Sequence, residues 1–155
     1  MRRVVVALGT AHRSRPHHNQ TSCVTPKADA RDVSTTSSRG PQVLLVDDDD
    51  SLRRALLRTI RLAGFDAYGY ESVESLLMAG IPESNALLVL DVDMPGIGGI
   101  AFKRTLVRAG RDVPTIFITA LEPEDVSVPL AALGPVMVLY KPIRTDVLLH
   151  AIERT

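Results

Sequence analysis

The sequence predicts an α/β fold in which a parallel sheet is covered by helices on both faces. Five short apolar runs alternate with amphipathic helical patterns, and the runs lack the strict polar–apolar alternation of a half-exposed strand. Alternating strands and helices of this kind form parallel sheets with the helices as crossovers. The predicted strands are Val43–Val46, Ala67–Tyr70, Ala86–Leu90, Thr115–Ile118 and Val136–Tyr140.

The composition excludes several classes of protein. The chain has 155 residues, of which 45% are hydrophobic and 23% charged, as is ordinary for a globular domain. No apolar run approaches the roughly 20 residues of a membrane helix, so no membrane association is predicted. The single cysteine excludes an intrachain disulfide scaffold and a cysteine-built zinc site. A formal net charge of zero provides no global attraction to nucleic acid, and no nucleic-acid partner is predicted.

The charge is unevenly distributed and divides the chain near Pro41. Residues 1–41 carry seven Lys or Arg and two acids, for a net charge of +5, whereas residues 42–155 carry eleven and sixteen, for −5. The first segment is rich in Ser, Thr, Arg, His and Pro, and it has too little apolar surface to offset the entropy of ordering. We therefore expect a disordered basic tail over 1–41 and a folded domain over 42–155.

Helical patterns fill the intervals between the predicted strands. Leu52, Leu56 and Ile60 recur at the 3–4 spacing of one helix face, and Ser72 is a favourable N-cap for the next helix. The left-handed backbone conformation that often ends a helix has a low energy cost only for glycine. The glycines in such positions are Gly64, Gly80, Gly110 and Gly134.

The starts of two helices are predicted from individual residues. Asp50 and Ser51 are candidate caps of the first helix, as an alternative to a functional role, since both types accept hydrogen bonds from free backbone N–H groups. In the fourth helix an interior Pro129 would remove a hydrogen bond. A late start, with Ser127 as N-cap and Pro129 in the first turn, avoids that loss and predicts a short or irregular helix.

Side chains that can act as nucleophiles, metal ligands or hydrogen-bond donors follow four of the five predicted strands. Asp47 and Asp48 follow the first strand, Asp91 the third, Thr119 the fourth and Lys141 the fifth. The carboxyl ends of parallel strands meet at one edge of the sheet, so these side chains are expected to lie together. Clustered carboxylates repel unless a cation neutralises them, and oxygen ligands of this kind suit Mg²⁺. The set fits phosphoryl transfer to a carboxylate, with the threonine and lysine as donors to the phosphoryl oxygens.

These residues resemble the receiver domain of bacterial two-component response regulators, and the resemblance covers about residues 42–154. It rests on Val-Asp-Asp at 46–48, Asp-Val-Asp-Met-Pro-Gly at 91–96, Thr-Ala at 119–120 and Lys-Pro at 141–142. The resemblance implies a flavodoxin-like, doubly wound, five-stranded parallel sheet of order 2-1-3-4-5. Within the family the chain looks most like receivers of the nitrogen-fixation-regulator type, whose full-length forms usually bind DNA.

The resemblance also implies a metal site and an acceptor. Asp91 would be the phosphoacceptor and a direct ligand of Mg²⁺. Asp47 and Asp48 would hold the same ion, one of them through water, and Asp93 would contribute its backbone carbonyl.

The remaining implications concern the reaction and the partners. Thr119 would bind a phosphoryl oxygen, and Lys141 would pair with the phosphoryl group. The donor would be a cytoplasmic phosphohistidine on a sensor histidine kinase or phosphotransfer protein, and the chain's own catalysis would be limited to self-phosphorylation and autodephosphorylation. Output would be a conformational shift recognised by a downstream protein target. A homodimer through the fourth helix, fifth strand and fifth helix is compatible with the pattern.

The chain departs from the family pattern in the residues that transmit the signal. The aromatic residue normally found three residues before the lysine is replaced by Val138, and Tyr140 is expected to point to the opposite face from Leu139. Leu121 is apolar at a position that tunes hydrolysis of the acyl phosphate in relatives. We therefore expect phosphorylation to be retained and signalling to be slow or to use an altered geometry.

The sequence is also compatible with two other functions. Haloacid-dehalogenase-type phosphatases also carry Asp-x-Asp after a strand, but they expect Thr or Val at the position of Pro95 and an acidic pair late in the chain. A receiver fold used as an interaction module without phosphotransfer is the second alternative, although every expected acceptor and metal position is filled. No output domain follows the fifth helix, so the chain is expected to be a single-domain regulator or a fragment of a longer one.

Overall fold

The predicted alternation of strands and helices is observed in the computed structural model, which describes residues 40–134 and 136–155. All strand pairs are parallel, and the sheet order is β2-β1-β3-β4-β5, as predicted. The tail predicted over 1–41 lies almost wholly outside the described residues. The elements are β1 (Gln42–Val46), α1 (Asp50–Leu62), β2 (Ala67–Tyr70), α2 (Val73–Ala79), β3 (Ala86–Asp91), α3 (Gly99–Arg108), β4 (Thr115–Thr119), α4 (Pro123–Ala131), β5 (Met137–Tyr140) and α5 (Thr145–Glu153).

Apolar cores lie on both faces of the sheet, which explains why the central strands carry no polar alternation. In β1, Val43 and Leu45 pack with α1 and α5 on one face, while Leu44 and Val46 pack with α2, α3 and α4 on the other. A strand buried on both faces has no solvent side on which a polar residue would be stable. None of the helices in the described part of the chain is long and apolar enough to span a bilayer.

The ends of the first two helices confirm one prediction and correct another. Ser72 caps α2. Its hydroxyl accepts from the Ser75 N–H, and the Ser75 hydroxyl accepts from the Ser72 N–H. The prediction that Asp50 or Ser51 caps α1 is wrong, because the cap is Asp49, whose carboxylate accepts from the N–H groups of Ser51 and Leu52. The glycines expected after the helices do have positive φ, from 74° to 93°.

The predicted start of α4 is also wrong. The helix begins at Pro123 rather than after Ser127, and Pro129 lies inside it. Proline in the first turn has a φ suited to a helix and no N–H to leave unpaired. The acidic residues of that turn, Glu124 and Asp125, favour an early start because they oppose the positive end of the helix dipole. Burial of Val126 and Leu130 on either side of Pro129 offsets the missing hydrogen bond.

A buried lysine in the middle of α3 is bonded to the loop before β4. The Lys103 side chain is 4% exposed, and its Nζ donates to Asp112 Oδ1 at 2.6 Å and to the Val113 carbonyl at 2.5 Å. Asp112 is 82% exposed and Val113 O also accepts from the Thr115 hydroxyl at 2.8 Å. Removing the ammonium therefore leaves neither partner buried and unsatisfied.

The stability contribution of Lys103 is expected to come from its aliphatic stem. The free energy of unfolding of the Lys103→Met variant should lie within about 1 kcal/mol of the wild-type value. The buried charge costs desolvation, and the two hydrogen-bond partners of the ammonium remain satisfied without it. Lys103→Ala should lose about 2–3 kcal/mol through the cavity left by the stem. Urea denaturation of the three proteins measures both values. Equal losses in the two variants would show that the ion pair, and not the packing, carries the stability.

Candidate functional site

Two buried carboxylates lie side by side at the carboxyl end of the sheet. Asp47 directly follows β1 and Asp91 is the last residue of β3, and the register pairs the residues before them, Val46 and Leu90. The exposed fraction is 0% for Asp47 and 2% for Asp91. Burial of two like charges at neighbouring strand ends requires positive charge close by.

Lys141 supplies positive charge to both carboxylates. Its Nζ lies 2.6 Å from Asp91 Oδ2 and 3.2 Å from Asp47 Oδ2. The residue follows β5, and its backbone N–H donates to the Thr119 carbonyl at 2.7 Å, which ties it to the neighbouring strand. Burial by itself lowers the pKa of Lys141, but the hydrogen bond to Asp91 and the charges of both carboxylates outweigh it and raise that pKa above its usual value. The lysine is therefore a stable cation in this site.

The acidic cluster has the composition and proximity of a divalent metal site. Carboxylate oxygens of Asp47, Asp48 and Asp91 all lie within 4.8 Å of one another. Asp48 is exposed, so the cluster is open to solvent on one side. Asp47 Oδ2 has no hydrogen-bond partner among the described residues, although Lys141 lies 3.2 Å away as an ionic contact. A buried oxygen without a hydrogen bond is available as a ligand, and three carboxylates fit Mg²⁺ with water completing its shell.

The pKa of Asp47 reflects its burial beside a second carboxylate. Burial raises the pKa of Asp47 above its ordinary value, and the charge of Asp91 adds to this. The N–H of Asp49, which donates to Asp47 Oδ1 at 2.8 Å, and the charge of Lys141 act in the opposite direction without cancelling it. A cation bound here would favour the charged form of the carboxylate.

Thr119 is the last residue of β4 and lies beside the end of β3. The register pairs Asp91 with Ile118, so Thr119 is one residue further along the neighbouring strand. Its side chain is fully buried, and its Oγ1 accepts from the Leu121 N–H at 3.0 Å. A hydroxyl that accepts in one hydrogen bond can still donate its proton in another.

Three residues of β5 and the residue Asp93 flank the site. The Asp93 N–H donates to Asp91 Oδ1 at 3.1 Å, which holds the backbone of Asp93 beside the acceptor. In β5, Leu139 packs on the α1 and α5 face, Val138 on the opposite face, and Tyr140 is about half exposed. No aromatic residue therefore occupies the position three residues before Lys141.

Two residues that matter for the site were not found from the sequence. Arg53 donates to the backbone carbonyl of Asp47, and its only sequence signal is a position one turn into α1, after four consecutive acids. Gly99 lies against the Asp91 carbonyl, where an added Cβ would overlap with that oxygen. Neither role can be recognised from the sequence, since arginine is common in helices and glycine is common in loops.

Comparison with known proteins identifies the family. The family model described as the response regulator receiver domain matches residues 43–153. The chain belongs to this family. Membership favours a receiver over the haloacid-dehalogenase-type phosphatase that the Asp-x-Asp motif left open.

The curated relatives of this receiver include proteins from rhizobia. Nodulation protein W of Bradyrhizobium diazoefficiens is 34% identical over 118 residues, which are 76% of this chain and 52% of the relative. The transcriptional regulatory protein FixJ of Rhizobium meliloti is 30% identical over 112 residues, or 72% of this chain and 55% of FixJ. The receiver chain thus spans about half the length of these relatives.

Solved structures give the same fold. The response regulator StyR is similar with a TM-score of 0.68 and 35% identity over 75% of this chain and 59% of StyR. The structure titled FixJ-N is similar with a TM-score of 0.67 and 30% identity over 75% of this chain and 93% of that one. The prediction of a receiver of the nitrogen-fixation-regulator type agrees with these similarities.

Proposed function

We propose that this receiver accepts a phosphoryl group from a phosphohistidine onto Asp91 and signals by the change in shape that follows. The observation that carries the proposal is the contact between the buried Asp91 carboxylate and Lys141 at 2.6 Å, inside a cluster of three carboxylates. A lysine at this distance neutralises the acceptor before the reaction and can pair with the phosphoryl group after it. An ordinary structural ion pair would not need two further acids beside it.

Each residue of the site has a distinct part in this reaction. An oxygen of Asp91 forms the new bond to phosphorus while the bond from phosphorus to the histidine nitrogen breaks, and the imidazole keeps that electron pair and takes up a proton. Asp47, Asp48 and Asp91, with the Asp93 carbonyl, would hold Mg²⁺, which neutralises charge on the phosphoryl oxygens. Lys141 pairs with a phosphoryl oxygen in place of the Asp91 oxygen that it now binds.

Thr119 couples the phosphoryl group to the rest of the domain. Its hydroxyl would donate to a phosphoryl oxygen, since the phosphoryl group adds nearly two negative charges and three strong acceptors. Movement at Thr119 biases an equilibrium between two conformations rather than creating a new one. With Val138 in place of the family's aromatic residue, no aromatic ring at that position can take part in this movement, and we propose an altered output geometry.

The partners follow from the same chemistry. The donor is a sensor histidine kinase or a phosphotransfer protein, the setting is the cytoplasm where such donors act, and the output is a downstream protein target. The face formed by α4, β5 and α5 exposes three large apolar residues, which suits contact with a protein. They are Val128, Tyr140 and Val147. A homodimer through this face stays a prediction.

Phosphorylation is expected to depend completely on a divalent cation. Incubation of the wild-type protein with a small phosphodonor and Mg²⁺ should produce an acyl phosphate, and excess chelator should abolish it. Without the cation, the negative charges of Asp47, Asp48 and Asp91 repel the incoming phosphoryl oxygens. Intact-protein mass spectrometry measures the modified fraction. Absence of any labelling, together with no Mg²⁺-dependent change in stability or spectrum, would instead favour a receiver fold used as an interaction module. Equal labelling with and without the cation would contradict the predicted dependence on Mg²⁺.

A further inference from the structure

Arg53 connects the acidic loop after β1 to the first turn of α1. Its Nη1 donates to the backbone carbonyl of Asp47 at 2.6 Å, and its Nη2 donates to Asp50 Oδ1 at 2.8 Å. The side chain is 13% exposed although it carries a full charge. A guanidinium that is largely buried and bridges two acceptors is held in a single orientation.

The stem of Arg53 is anchored as well as its head. An added Cβ at Gly69 in β2 would lie 3.3 Å from Cγ and Cδ of Arg53, so the aliphatic part packs against that strand. The carbonyl that Arg53 binds belongs to the peptide between Asp47 and Asp48. The orientation of this peptide plane determines where the exposed Asp48 carboxylate points relative to the buried one.

We infer that Arg53 is a positioning residue for the divalent cation site: it holds the Asp47–Asp48 peptide so that both carboxylates face one ion. The inference rests on the proposed Mg²⁺ site. Groups that orient metal ligands without touching the metal typically change its affinity by 10–100-fold when removed.

The sign of the effect separates positioning from simple electrostatics. Arg53 is a cation near a cation site, so its charge alone weakens Mg²⁺ binding, and removing that charge would strengthen it. Loss of positioning has the opposite sign, because Asp48 is then free to point away from the ion. A weaker affinity after removal of Arg53 therefore cannot result from its charge.

Arg54 offers a matched control on the same helix. It pairs with the other oxygen of Asp50 at 2.7 Å, but its side chain is 72% exposed. The Arg54→Met variant loses the same charge and an ion pair to the same acid. It keeps the contact between Arg53 and the Asp47 carbonyl.

The experiment is titration of Mg²⁺ into the wild type, Arg53→Met and Arg54→Met by isothermal calorimetry. Methionine keeps most of the stem that packs on β2, so the change is confined to the guanidinium. The dissociation constant should rise about tenfold in Arg53→Met and stay within about twofold in Arg54→Met. Equal or tighter binding in Arg53→Met would overturn the inference. Lack of Mg²⁺ binding by the wild type would instead refute the proposed function.

The Arg53→Lys variant keeps the test decisive if Arg53→Met does not fold. Lysine preserves the stem and the charge, but a single ammonium cannot reproduce the planar two-pronged bridge. Its Mg²⁺ dissociation constant should rise by about threefold, less than the 10–100-fold typical of complete removal, because lysine keeps the charge and the stem. A value equal to that of the wild type would show that the bridge is unnecessary and would overturn the inference.

Discussion

The Asp91→Asn variant is expected to form no acyl phosphate under conditions that label the wild type. An amide has the size and shape of the carboxylate, but its oxygen carries no negative charge and is a poor nucleophile. Lys141 retains the Asp47 carboxylate as a partner, 3.2 Å away, so the lysine is not left without a counterion. The loss should therefore be chemical rather than a consequence of unfolding. Hydroxylamine-sensitive labelling from a small phosphodonor measures it.

Asp93→Asn is the matched control for this experiment. Asp93 lies two residues from the acceptor, its side chain is exposed, and its predicted contribution is through the backbone carbonyl. Labelling of Asp93→Asn should therefore be close to that of the wild type. Equal labelling of Asp91→Asn and the wild type would refute Asp91 as the acceptor and, with it, the proposed reaction.

Gly99→Ala is expected to cost about 2 kcal/mol of stability, the usual scale of overpacking. A Cβ at this position would overlap with the Asp91 carbonyl oxygen and lie 3.2 Å from Leu90 Cβ. Both neighbours belong to the central strand β3, which cannot move without disturbing the sheet. Alanine is otherwise favoured over glycine inside a helix by about 1 kcal/mol, so helix propensity predicts a change of the opposite sign.

Gly98→Ala provides a graded comparison for Gly99→Ala. Its Cβ would lie 3.1 Å from the Val92 carbonyl, which is tight but needs only a small adjustment in a loop. Urea denaturation should give a smaller loss for Gly98→Ala than for Gly99→Ala. Phosphorylation should also slow in Gly99→Ala, since the displaced carbonyl belongs to the acceptor residue itself. An unchanged or increased stability of Gly99→Ala would contradict the close approach.

The positions of the strands could be predicted because burial on both sheet faces leaves a direct trace in composition. Val43–Val46 is apolar at every position, and it lies between the two cores as expected. The grouping of the site residues followed from one further rule, that parallel strands end at the same edge. Asp91 is distant in the chain from the adjacent Asp47 and Asp48, and the structure brings a carboxylate oxygen of each within 4.8 Å of the others.

The helix starts were harder to predict because several residues can satisfy the same local rule. Asp49, Asp50 and Ser51 are all capable N-caps, and the choice of Asp49 depends on where the loop leaves β1. Similarly, Pro129 disfavours a long α4 when taken alone, but Pro123 and the buried side chains of that helix outweigh it. Competing terms of about 1 kcal/mol decide these boundaries, and neighbours in space set their balance.

The sequence by itself determined the fold class, the strand order through its family resemblance, and the set of residues at the strand ends. Only the tertiary structure decided that Arg53 binds the Asp47 carbonyl and that Gly99 approaches the carbonyl of Asp91. The first kind of property depends on patterns of burial, which repeat along the chain with the period of each element. The second depends on single contacts between elements, and these exist only after the elements have packed.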